Sequence, residues 1–145
     1  MREDSQPGSV LNSQALKYKK LDVQTLVGSA SPHRLIGMLF DGASSRLAQA
    51  SGYAMRSDHE SRSRCIGETV SIVDGLQASL DHEKGGELAA NLDALYDYMQ
   101  RRLFRANADN DVAAIREVMD LVRTLQEAWD AIDPSVTDTA IGRSE

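Results

Sequence analysis

One cysteine, few aromatic residues, no surplus of positive charge and no long apolar run set the first limits on this chain. A single thiol, Cys65, excludes a disulfide framework and suits a reducing compartment. Lys and Arg number 16 against 22 Asp and Glu, so a protein that embraces nucleic acid by charge alone is not expected. Nothing approaches the roughly 18 consecutive apolar residues of a membrane span, and the opening MREDSQPGSVLNSQ has no apolar signal core. A soluble, cytoplasmic protein without membrane insertion is the expectation. With 5% aromatic residues, its core must be built from Leu, Ile, Val, Met and Ala, and 145 residues suffice for one such core.

What is present is helical periodicity. In the stretch from Asp81 to Asn107, Gly85-Gly86 interrupts whatever precedes it, because two glycines make continued helix costly. Beyond it Leu88, Leu92, Leu95, Tyr96, Met99, Leu103 and Ala106 recur at steps of three and four, one stripe of an α-helix. Three further segments share that period. Ser31-Pro32, a capping residue followed by proline at the first helical position, starts a helix with the stripe Leu35, Leu39, Ala43, Leu47, Ala50 and Ala54, and Ile36 and Phe40 beside it. Ser57-Asp58-His59-Glu60 fits a capping box before Ile66, Val70, Val73, Leu76 and Leu80. Asp109-Asn110-Asp111 precedes Ile115, Val118, Val122, Leu125, Trp129 and Ile132, and Pro134 ends the pattern. Helices of similar length joined by short links run antiparallel, so the fold expected is all-α, an up-down-up-down four-helix bundle over residues 31–133. Residues 1–30 read as a mobile N-terminal arm or strap, and 134–145 as a flexible tail. Within residues 31–133 glycine is confined to the first two helices and the hinge, and nothing from Glu87 to Asp133 is glycine. Close packing and plasticity both account for that.

Catalytic constellations fail. His33, His59 and His82 fall in three segments and make no His-x-x-x-His or Glu-x-x-His spacing, so no metal or other cofactor is expected. Lys84-Gly85-Gly86 lacks the spacing of a phosphate loop, and Cys65 reads as a half-buried structural thiol. His33-Arg-Leu-Ile-Gly37 is similar to the His-x-Leu-Lys-Gly of histidine phosphotransfer domains, but Ile36 stands where the cation belongs and His33 lies in a first helical turn. What remains is apolar surface. Ala114, Leu121 and Ala128 form a second seam on the fourth helix; Ala90, Ala94 and Tyr98 flank the third stripe, and Met38 the first. Such faces suit a partner helix, a homodimer, or simply a wide bundle core.

The residues also resemble the flagellin-specific export chaperones of the FliS type. The similarity runs from about Ala30 to Ile132 through Ala30-Ser-Pro-His-Arg-Leu-Ile, Met38-Leu-Phe-Asp-Gly-Ala43, Leu80, Glu83-Lys-Gly-Gly-Glu-Leu-Ala-Ala-Asn-Leu-Asp-Ala-Leu-Tyr-Asp-Tyr-Met99, Arg102-Leu103, Ala106-Asn107, Asn110-Asp111 and Trp129. Phe40 stands where the family often has Tyr, and Tyr18 is the nearest candidate for its N-terminal tyrosine motif. The resemblance implies a non-enzymatic cytoplasmic chaperone, monomeric or weakly dimeric. Its client would be the disordered C-terminal segment of flagellin, and other flagellar export or regulatory proteins are further partners it allows. The client-binding residues expected are Leu35, Met38 and Leu39 of the first helix and Tyr96, Tyr98 and Met99 of the third, with Tyr18, Leu21 and Val23 in a strap that the client displaces.

Overall fold

The chain turns back on itself three times within the residues that the structure, a computed structural model, describes: 31–132. Helices α1 (Pro32–Met55), α2 (His59–Ala78), α3 (His82–Asp109) and α4 (Val112–Asp130) follow one another with links of a few residues. Each start is capped by a side-chain oxygen accepting from a free backbone N–H. Ser31 accepts from Arg34, Asp58 from Ser61, Asp81 from Glu83 and Lys84, and Asp111 from Ala114. The cap of α2 is thus Asp58, one residue later than the capping box predicts. Ser57 instead takes a left-handed conformation (φ 58°) that turns the chain, as Asn110 does between α3 and α4 (φ 53°).

Cross-helix bonds fix the directions. Arg46 reaches Glu68 while Cys65 reaches back to Gln49, so α1 and α2 are antiparallel. Gln77 meets Asp93, and Arg62 meets Asn107 (α2 and α3). Arg102 meets Glu117 (α3 and α4). Ser44 meets Gln126, and Arg116 meets Ser51 (α4 and α1). The expected up-down-up-down bundle is what these pairs describe. The α1–α2 pair packs most extensively and the two seams of α3 least. At Gly42 a β-carbon would stand 3.2 Å from Ile72 Cδ1, so this glycine serves close approach of α1 and α2.

The core is a ladder of interior residues: Phe40, Ala43, Leu47 and Ala50 of α1, Ile66, Val73 and Leu76 of α2, Met99 and Leu103 of α3, Ile115, Val118 and Val122 of α4. On α1 the buried stripe begins at Ile36 and Phe40, not at Leu35 and Leu39, which are half-buried. Both registers satisfy the helical period, and the larger ring of Phe40 takes the inside, 6.4 Å from that of Trp129. In α3 the hinge falls where two glycines predict it. Gly86 adopts φ 52°, ψ −126°, conformations reserved for glycine, and separates a first turn from the long helix that follows. The kink rotates Leu88 outward, 66% exposed, and turns Ala89 in. Cys65 is wholly buried and burial pushes its thiol up, so it stays protonated as a packing group.

The α3–α4 seam carries a polar clamp. Tyr98 donates to Glu117 Oε2 (2.5 Å) and Arg102 donates to Oε1 (2.7 Å). These two hydrogen bonds, Tyr98 first, hold the Glu117 carboxyl below its ordinary value of 4.5. The folded value lies under the unfolded one, so the clamp's contribution is complete above about pH 4.5 and is lost as pH falls through the folded value. Tyr98→Phe will therefore unfold at a lower temperature than the parent chain at pH 7. The gap will narrow below pH 4.5, as thermal melts followed by circular dichroism across pH 3–7 will show.

Candidate functional site

The loose packing of α3 against α2 leaves an open groove of about 730 Å³ between them. Ile66 and Val70 of α2 supply apolar lining, and Gly67 lies on the same wall between them. From α3, Phe104 stands over the groove 76% exposed, the most exposed of the large apolar side chains among the described residues. Its neighbour Leu103 is wholly buried. Adjacent helical residues diverge by about 100°, so one faces the core and the next the groove. From Ser63 to Asp74 the groove follows α2 for about three turns, on the order of 16 Å.

Both ends of the groove are polar. At one, Gln100 donates to Asp74 Oδ1 (2.6 Å) and ties the two walls together. At the other, Ser63 and Arg62 both donate to Asn107 Oδ1, at 3.0 and 2.8 Å. Arg62 is only 6% exposed, and its remaining acceptors are Asn110 Oδ1 (2.5 Å) and His59 Nδ1 (2.6 Å). It is a buried cation held by two amide oxygens and an imidazole nitrogen, satisfied as a donor, and no carboxylate pairs with it among the described residues. Arg101 and Arg105 line the α3 wall beside Phe104.

A second recess, about 220 Å³ and almost wholly apolar, opens at the end of the bundle where α1 and α3 begin. Phe40, Leu80, Leu88, Leu92, Tyr96 and Trp129 are among its lining residues. Trp129 Nε1 donates to the His33 carbonyl (2.9 Å) and its ring stacks on the His33 imidazole at 4.9 Å, tying the end of α4 to the start of α1. Burial pushes the Tyr96 phenol up to about 12, so it is neutral throughout the ordinary pH range.

The residues expected to bind a client scatter across this geometry. Tyr96 enters the end recess. Met99 is wholly buried in the core, because it shares the inward stripe of Leu103 and Ala106. Tyr98 is engaged with Glu117 on the α3–α4 seam. Met38 lines a separate shallow cleft with His33 and Asp41 on the α1–α4 face, and Leu35 and Leu39 are half-buried, Leu39 against the core. Tyr18, Leu21 and Val23 lie outside the described residues. The groove residues Ile66, Gly67, Val70 and Phe104 were not singled out as a site by the sequence. The available signal was Phe104 itself, a phenylalanine set among three arginines and one position off an apolar stripe. His33, the phosphotransfer candidate, is occupied as a stacking partner of Trp129 in the first turn of α1. No helix among the described residues is long and apolar enough to cross a membrane.

Comparison with known proteins places this architecture. The family model described as flagellar protein FliS matches residues 13–136. The flagellar secretion chaperone FliS of Salmonella typhimurium (strain LT2) is 47% identical over 121 residues, covering 83% of this chain and 90% of that protein. The flagellar secretion chaperone FliSB of Pseudomonas aeruginosa (strain PAO1) is 42% identical over 80% of this chain and 92% of its own length. The flagellar secretion chaperone FliS of Bacillus subtilis (strain 168) is 32% identical over 73% and 78% respectively.

Proposed function

The chain belongs to the FliS family of flagellar secretion chaperones, and from that membership we propose that it is a cytoplasmic host for the C-terminal segment of flagellin. Binding keeps the subunit from polymerising early and delivers it for export, with no bond made or broken. The observation that carries the client-binding part is the α2–α3 groove with Phe104 standing exposed above it. An apolar ring on a charged helix surface is the kind of anchor that peptide-binding grooves use. Ordering a disordered segment costs about 1–2 kcal/mol per residue in backbone entropy, so one docked turn is insufficient. The client must bury on the order of 1,000–3,000 Å² in total. A groove about 16 Å long seats one short helix of it, and the apolar recess at the end of the bundle offers a second contact.

Calorimetry of the full chain against the C-terminal segment of its cognate flagellin tests the proposal. The expected result is one-to-one binding with a negative heat-capacity change, and absence of measurable affinity would end it. The N-terminal strap belongs to the same proposal. Ser31 caps α1 at the end of the bundle where the apolar recess opens. Tyr18, Leu21 and Val23 cover part of the site in the empty chaperone and yield it to the client. Deleting residues 1–24 will raise client affinity by removing this competitor, measured in the same calorimeter; unchanged affinity removes the strap from the mechanism.

A further inference from the structure

The α2–α3 groove has a charge that the rest of the protein does not. The chain carries a net −6, yet cations dominate this groove. Arg101 and Arg105 line its α3 wall one helical turn apart, and neither forms an ion pair among the described residues. Arg102, between them in sequence but turned toward α4, does, with Glu117. Behind the Asn107 end sits the Arg62 guanidinium, which no carboxylate pairs with among the described residues. The one carboxylate in the lining, Asp74, already accepts from Gln100 at the far end. Three arginines are thus gathered around an apolar trough without acidic partners, on a protein with acids to spare.

We propose that this groove selects, within the client-binding function on which the inference rests, an amphipathic helix bearing two acidic residues one turn apart. Its apolar stripe seats on Val70 and Phe104, over the nearly buried Ile66, and its two carboxylates align with Arg101 and Arg105. The i, i+4 spacing of the arginines sets the register, since a slip by one residue carries the acids about 100° around the docked helix and off the rail. Charge therefore decides which helix enters and in which register, while apolar contact supplies most of the affinity. Flanking an apolar floor, the pairs are less screened than ordinary surface ion pairs.

Two synthetic amphipathic helical peptides with the same leucine stripe test this, one carrying glutamates at i and i+4 beside the stripe and the other lysines. By fluorescence anisotropy with the full-length chain, the glutamate peptide is expected to bind at least ~10-fold tighter, an advantage that shrinks as salt rises from about 0.05 to 0.5 M. In the Arg101→Glu, Arg105→Glu double variant the preference will invert. Equal affinities, no binding of either peptide, or glutamate-peptide binding that survives Gly67→Trp would overturn the proposal. A concentration-dependent dimer abolished by Gly67→Trp in sedimentation would also overturn it, by giving the groove to a second copy of the chain. The flagellin segment run in parallel separates the two claims. If it binds the parent and the double variant alike while the peptides are not distinguished, the charge rule fails and the chaperone function stands. If the peptides are distinguished and flagellin does not bind, the reverse holds.

Discussion

Leu103→Ala will lower the folding stability of this chain by about 2–5 kcal/mol, and Phe104→Ala will change it by less than about 0.5. The two residues are adjacent and both large and apolar, and they differ in what they touch. Leu103 is wholly buried among Met99, Leu47 and their neighbours, so removing it leaves a cavity that the close-packed interior fills only in part. Phe104 has three quarters of its surface in water, 76%, so truncation removes little that the folded monomer uses. Client affinity should show the opposite order. Phe104→Ala will weaken binding of the flagellin segment about 10- to 100-fold, the range of an aromatic anchor lost from an interface. Leu103→Ala will affect binding only as far as it unfolds the chaperone. Urea denaturation gives the first comparison and calorimetry the second. Phe104→Ala with unaltered affinity would remove the α2–α3 groove from client binding.

Gly67→Trp will produce a larger binding loss than Phe104→Ala, at least about 100-fold, in a chain that remains folded. Gly67 lies within α2 and lines the groove, so a large side chain placed there is expected to enter the trough. An indole there occupies the trough itself. Its helical backbone accepts any residue, and replacing glycine inside a helix gains up to about 1 kcal/mol of propensity, so loss of fold is not the expected cause. Gly67→Ala, adding one methyl, will bind within a few-fold of the parent. A thermal melt separates blocking from unfolding: the Trp variant should melt no lower than the parent. Retention of flagellin binding by Gly67→Trp would assign the client to other faces, the apolar end recess first among them.

The elements of the fold were legible because each is written locally. Ser31-Pro32, the Gly85-Gly86 hinge and Asp109-Asn110-Asp111 mark breaks by backbone chemistry that needs no tertiary partner, and the structure places a cap, a positive-φ glycine and a left-handed asparagine at those points. The site was legible only in kind. Periodicity shows that Met99 and Phe104 are both apolar on one helix, yet which is core depends on where the neighbouring helices lie. The α1 stripe illustrates the limit, since Leu35-Leu39 and Ile36-Phe40 fit the helical period equally well. Contact with Trp129, nearly ninety residues away, favours the second. Arg62 was invisible for the same reason. In sequence it is one more polar residue near a helix start, and only the return of α3 brings Asn107 and Asn110 over it.

By itself, then, the order of residues determined four helices, their limits, their antiparallel path and membership of a chaperone family, because caps, hinges, short links and long matching motifs act over a few residues at a time. The tertiary structure alone decided which apolar side chains meet water. That choice is made where separate helices converge or part: α3 sits close enough to α2 and α4 to bury Leu103, and far enough from α2 to leave Phe104, Gly67 and an unbalanced row of arginines facing an open trough.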